Sequence, residues 1–188
     1  MNNEKLLSIL REKLTPERLE HSLFVAESAV ALAQHYRADE TNAHYAALAH
    51  DVCKCDGIDE MTRILEQSGY VFIDCERGNT TLLHAPAGAV FLRTSGLCTD
   101  EEILSAVRYH STGRAGMTQL EKIVFIADLI SADRDYPDVE IVRRLAFKDL
   151  DEAVKYVLRW IISDLRRKGE AVHPNSVLCL KALGLPPR

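Results

Sequence analysis

A helix-opening device recurs along this chain, and it constrains the fold more than any other feature. Thr99 and Glu102 in TDEEILSAVRYH stand in capping-box spacing, and so do Thr118 and Glu121 in TQLEKIVFIADLI. Asp149 and Glu152 repeat the pattern before AVKYVLRWIISDLRRK, which Gly169 is placed to stop. Thr15 followed by Pro16 opens a stretch in which Leu19, Leu23, Val30 and Ala33 keep helical spacing. Pro174 and Gly184 bracket a last short helix, PNSVLCLKALG. Strand alternation is nearly absent. YVFID at 70–74 is the sole candidate, and it reads equally well as a loop. The expectation is an all-α bundle of roughly eight to ten helices. With 188 residues, it forms one domain over residues 1–188 with a substantial core.

Composition narrows the function classes. A net charge of −5 argues against a general nucleic-acid binder, whose surface is normally basic, while leaving room for a small basic pocket. The N-terminal MNNEKLLSILREKL breaks its apolar positions with charge, unlike a signal peptide. No apolar run approaches the roughly 20 residues needed to span a bilayer, so no membrane association is expected. The five cysteines are odd in number and form no CxxC pair. They read as reduced thiols in a cytoplasmic protein. Cys53 and Cys55 lack the second pair that a structural metal site would need. The polar loops 111–117 (STGRAGM) and 131–138 (SADRDYPD) follow strongly apolar helices, where ligand-binding loops are common.

Chemistry enters where polar residues interrupt apolar helix faces. His21 lies inside the second helix, His50 and Asp51 end the third, and Asp128 sits within KIVFIADLI. A carboxylate in that setting takes up a proton or finds a cation. Each residue alone has an ordinary reading. His21 could make a single hydrogen bond, His50–Asp51 could cap a helix end, and Asp128 could pair with a buried arginine. Together, two imidazoles and two carboxylates suit one divalent metal with open positions. His35 and His44 fall outside this set.

The order H…HD…D resembles the HD-domain superfamily of metal-dependent phosphohydrolases. Five further stretches narrow the resemblance: RLEHSLFVAESAVALA, AALAHDVCK, LLHAPAGA, VRYHSTGRAGMTQLEKIVFIADLISADRD and GEAVHPNSV. Together they are similar to the YqeK family of bacterial diadenosine tetraphosphate hydrolases, over about residues 16–183. The chain departs from that family after Asp128, where a segment that commonly reads like YIEPNR is here LISADR, which keeps Arg134 but replaces the Glu and Pro.

The resemblance implies one divalent metal on His21, His50, Asp51 and Asp128, of iron type, with Mn, Co, Mg or Zn as alternatives. It implies that an ADP moiety, the product, is held by Arg18 to His21, by Asp51 to Lys54 and by His84. Further contacts implied are His110, Ser111, Thr112, Gly113, Arg114, Ala115, Gly116, Arg134, Glu170, Ala171, Val172, His173, Pro174 and Asn175. The basic members suit a polyphosphate independently of the family: arginine for bidentate contacts, lysine for point charge. Arg18 shares a helix face with His21, and Lys54 follows Asp51 at the same interval. STGRAG offers backbone N–H groups as an anion nest. Solvated charge is the competing reading for Arg114 and Arg134, and a helix cap for His84. His84, His110 or a carboxylate could manage the proton, while the metal would activate water and neutralise phosphate charge. The expected reaction is symmetrical hydrolysis of diadenosine tetraphosphate to two ADP, with the ADP pocket setting the distance from adenine to metal. A different nucleotide substrate (mononucleotide, cyclic dinucleotide or alarmone) and a non-catalytic nucleotide-sensing module are the rival readings. A homodimer is left open.

Overall fold

The computed structural model describes residues 2–184. Its helices are α1 (Asn3–Lys13), α2 (Pro16–Tyr36), α3 (Glu40–Ala49), α4 (Ile58–Gln67) and α5 (Thr80–Thr94), then α6 (Glu101–Tyr109), α7 (Gln119–Ile130), α8 (Val139–Ala146), α9 (Leu150–Lys168) and α10 (Pro174–Ala182). No strand occurs among the described residues. The 70–74 stretch is a loop running into a 3₁₀ turn at Asp74–Glu76.

The start signals behave largely as their chemistry requires. Thr15 accepts from Arg18 N with Pro16 in the first turn, and Thr118 and Glu121 form a complete capping box. Asp149 caps α9, and Gly169 ends it in the left-handed conformation at φ 71°. At α6 the cap falls one residue later than expected. Asp100, not Thr99, accepts from the N–H groups of Glu102 and Ile103. A carboxylate facing the positive helix end is the better acceptor of the two neighbours.

Helix α3 is the centre of the bundle. Ala43 and the run Tyr45–Ala49 are buried, and the helix packs against α2, α6 and α7. Small residues on its surface let these neighbours approach closely. One such approach fixes the site. Gly88 in α5 lies under the segment after α3, where a Cβ would stand 3.2 Å from Val52 Cγ1. That contact is tighter than ordinary van der Waals packing, so the missing side chain lets α5 close on the His50–Val52 turn.

The helices α3, α6 and α7 all end at one cleft. His50 follows the last residue of α3, His110 follows the last residue of α6, and Asp128 lies in the final turn of α7. Three helix C-termini bring three sets of partial negative charge to one place, which favours a bound cation.

Candidate metal and phosphate site

The early turns of α2 and α5 supply the other walls of the cleft, with Arg18 and His21 from α2 and His84 from α5. His84 is no cap. Asn79 caps α5, and His84 lies beyond its first turn. After α3 the chain continues as successive turns, not as α-helix, with Lys54 N donating to Asp51 O at 2.8 Å. The three-residue interval still brings Lys54 and Asp51 to the same side of the cleft, because an i+3 turn closes as a helical turn does.

The imidazoles share one hydrogen-bonding scheme. His50, His84 and His110 each donate Nδ1–H to a backbone carbonyl: Ala47 at 2.6 Å, Thr80 at 3.1 Å and Val107 at 2.8 Å. His21 gives its Nδ1–H to the Asp133 carboxylate at 2.7 Å. For His50, His84 and His110, committing Nδ1 in this way leaves the Nε2 lone pair aimed into the cleft, the tautomer that ligates a metal or accepts a proton, whereas His21 faces a second carboxylate, that of Asp128, through Nε2.

The cleft contains more acceptors than the protein satisfies. His50 Nε2 and Asp51 Oδ1 are buried without a hydrogen-bond partner. Each such orphan costs about 1–3 kcal/mol unless something fills the gap. One ligand atom from each of His21, His50 and Asp51 lies within 4.8 Å of the others. Asp128 Oδ1 is 2.9 Å from His21 Nε2 and 3.9 Å from His50 Nε2. His21, His50 and Asp51 thus face one another with Asp128 Oδ1 beside the two imidazoles, and this borderline-hard set of nitrogen and carboxylate donors fits a divalent transition metal. Electrostatics agrees. Burial alone would lower the His50 pKa, but the carboxylates of Asp51 and Asp128 outweigh it and raise it. Burial alone would raise the Asp128 carboxyl, but the His21 hydrogen bond and the charges of His50 and Arg134 hold it well below the usual carboxylate range. The cluster pulls in positive charge even at the expense of desolvation.

A second three-donor group shares Asp51. Its Oδ1 is 3.1 Å from His84 Nε2 and 3.6 Å from His110 Nε2. Those two nitrogens are 3.1 Å apart, and the Ser111 hydroxyl stands 3.2 Å and 3.1 Å from them. Burial pushes the His110 imidazole down to about 4, so it is neutral at physiological pH. The ammonium of Lys54 donates to His84 Nε2 at 3.2 Å. Arg18 reaches Asp51 Oδ2 at 3.1 Å. Arg134 donates from Nε to Asp128 O at 2.6 Å and from its terminal nitrogen to the Asp128 carboxylate.

Ten of the residues singled out in the sequence therefore meet in one cleft: Arg18, His21, His50, Asp51, Lys54, His84, His110, Ser111, Asp128 and Arg134. Others point elsewhere. Arg114 pairs with buried Glu121 at 2.8 Å. His173 caps α10 through Nδ1 and gives Nε2–H to buried Glu76 at 3.3 Å. The Thr112 and Gly113 amides are committed to Tyr109 O, which removes two donors from the expected anion nest. Gly113 and Gly116 do adopt positive φ. Glu170, Ala171 and Pro174 are exposed, and Val172 and Asn175 half-buried, on the segment leading into α10. His35 is exposed and His44 half-buried, away from the cleft.

Asp133 is the residue that sequence reading passed over. Its Oδ2 holds His21, and its Oδ1 accepts from Ser131 Oγ at 2.7 Å. The departing segment LISADR is thus ordered around the cleft. Arg143 clamps it from α8 through the carbonyls of Ile130 at 3.0 Å and Ser131 at 2.8 Å.

Comparison with known proteins places this arrangement among relatives. The HD domain family model matches residues 18–133. The symmetrical bis(5'-nucleosyl)-tetraphosphatase of Bacillus subtilis strain 168 is 37% identical over 180 residues, covering 95% of each chain. The protein of that name from Staphylococcus aureus is 36% identical over 188 residues, covering 96% of this chain and 93% of the relative. Among solved structures, an HD superfamily hydrolase from Clostridium acetobutylicum, described as involved in NAD metabolism, superposes with a TM-score of 0.94 at 33% identity, covering 97% of both chains.

Proposed function

Because the chain belongs to the HD domain family, we propose that its cleft hydrolyses diadenosine tetraphosphate symmetrically, releasing two ADP. The curated relatives carry that activity in their names over nearly the full length of both chains. The observation that carries the reading is the shared imidazole scheme, with every Nδ1 tied down and the lone pairs of His50 and Asp51 left unpartnered in a buried cleft.

In this reading His21, His50, Asp51 and Asp128 hold one divalent metal, and iron is the candidate to test first. When bound, the metal supplies charge neutralisation on phosphate oxygens and an activated water. The chain supplies the rest. Arg18 and Lys54 sit beside Asp51, where they pin the bridging phosphates and keep the chain in line with the reacting centre. Arg134, anchored on Asp128, presents its guanidinium to the next phosphate. His84 and His110 offer Nε2 lone pairs that accept or pass a proton, and Ser111 links the two. The Lys54 ammonium occupies the side of His84 where a second cation would have to sit, which favours phosphate contact over a second metal at Asp51, His84 and His110.

The purified protein, supplied with Fe(II), Mn(II) or Co(II) in turn, should convert diadenosine tetraphosphate to ADP alone. Equal ATP and AMP among the early products would show asymmetrical cleavage. No metal-dependent turnover would overturn the reading altogether.

A further inference from the structure

We propose that the cavity behind Arg134 receives the second adenine of the dinucleotide, so that the enzyme recognises both ends of its substrate. The proposal rests on the hydrolase reading above and adds a subsite to it.

The cavity measures about 250 Å³, with walls that include Leu129, Arg134, Tyr136, Asp138, Val142 and Trp160. Arg134 is the wall it shares with the catalytic cleft. Arg134, whose guanidinium contacts Asp128, also lines the cavity. A phosphate held there would place the nucleoside attached to it at the cavity mouth.

Size and lining select a base. The volume falls below the roughly 300–1,000 Å³ typical of drug-sized ligands, so it admits one ring system and not a whole nucleotide. Trp160 lies 52% exposed on α9, and its ring stacks on Tyr136 at 6.3 Å between centroids and 23° between planes. Tyr136 is fixed by its hydroxyl, which donates to Leu129 O at 2.9 Å. A large aromatic face left open to solvent beside an apolar hollow is a platform on which a base can stack. Asp138 is held by the Tyr156 hydroxyl at 3.0 Å and supplies an acceptor for an exocyclic amine. One cavity thus combines a cation, an aromatic face and an amine acceptor, the three contacts that a nucleotide's phosphate, ring and ring edge call for.

Trp160 is the chain's one tryptophan, so its fluorescence reports the subsite directly. Two non-hydrolysable, methylene-bridged probes separate the contributions: diadenosine tetraphosphate and adenosine 5'-tetraphosphate, which lacks the second nucleoside. With metal-loaded enzyme, the dinucleotide should quench Trp160 and the mononucleotide should not. Equal quenching by both, or by neither, overturns the subsite. Kinetics gives an independent reading. Trp160→Ala should lower the kcat/KM ratio of diadenosine tetraphosphate over adenosine 5'-tetraphosphate by about 5- to 150-fold, the equivalent of one lost base stack. Trp160→Phe should recover most of that ratio. A wild-type ratio near one, or a ratio unmoved in Trp160→Ala, overturns the subsite while leaving hydrolysis intact. A wild-type enzyme that does not cut the dinucleotide overturns the hydrolase reading and the subsite with it.

Discussion

Two regions of this molecule bury carboxylates, and they treat them in opposite ways. Glu121 is 1% exposed in α7 and is saturated by the protein. It accepts from Thr118 N at 2.7 Å, from Arg114 Nε at 2.8 Å and from the Ser105 hydroxyl. Glu76 is similar, taking Tyr70 O–H at 2.6 Å, Ile73 N–H at 3.0 Å and His173 Nε2–H. Asp51 is 2% exposed but keeps an unpartnered oxygen beside an unpartnered imidazole nitrogen. Burial of charge alone does not mark a functional site. What marks it is burial left unfinished, because a protein can complete such a network cheaply when nothing else has to bind there.

The sharpest way to break this contrast is to remove Asp51. Asp51→Ala should eliminate both bound metal and turnover, a loss beyond about 1000-fold, since the residue faces both donor groups. Elemental analysis of the variant decides the matter, and full metal occupancy would take Asp51 out of the ligand set. Lys54→Ala tests the phosphate side of the same cleft. Metal content should stay intact while kcat/KM falls roughly 30- to 1000-fold, the equivalent of one lost charged contact. Unchanged kinetics would mean that the phosphates run elsewhere.

Asp133 sharpens the comparison from one layer further out. Its carboxylate hydrogen-bonds to the side chains of His21 and Ser131, so its effect on a metal passes through His21. Asp133→Ala should weaken metal binding about 10- to 100-fold, as expected when the group that fixes a ligand's tautomer is lost. Asp133→Asn keeps an acceptor oxygen for the Nδ1–H and should restore most of that affinity. Competition titration with a metal indicator reads both variants without any assay of activity. Equal metal affinity in all three proteins would reduce Asp133 to a loop residue.

The candidate metal-binding residues were legible because apolar periodicity made them stand out. Asp128 is conspicuous among Ile123, Val124, Phe125 and Ile126, and His50–Asp51 is conspicuous after a run of alanines. The helices were legible for a related reason, since caps and periodicity act over a few residues. Asp133 was not legible. It lies in a polar loop where an aspartate is ordinary, and its partner His21 is 112 residues away. Glu121 shows a similar limit. Its capping-box role can be read locally, but the bonds from Arg114 and Ser105 depend on how α6 and the 111–117 loop pack on α7. The exposed ring of Trp160 carries no sequence signal either, because α9 shows it only as one apolar residue in an amphipathic helix.

The smallest effect on activity is expected at Glu121, and it tests the other half of the contrast. Glu121→Gln keeps the shape and an acceptor oxygen for Thr118 N–H, but it sets an amide against Arg114 and removes the charge that the guanidinium pairs with. The Glu121 side chain is fully enclosed while that of Arg114 is about one-third exposed, so solvent screens part of the loss. About 2 kcal/mol of stability should go, a Tm drop of roughly 4–8 °C for a chain of this size. Turnover per folded molecule should stay within about twofold of wild type at a temperature where both proteins are folded, because Glu121's partners Ser105, Arg114 and Thr118 lie outside the cleft of His21, His50, Asp51 and Asp128. Calorimetry and a steady-state assay on the same preparation separate the two quantities. A saturated carboxylate should cost stability and spare catalysis. A Glu121→Gln protein with normal Tm but crippled turnover would show that α7 transmits strain from its first turn to Asp128 in its last, and that the two regions are not independent.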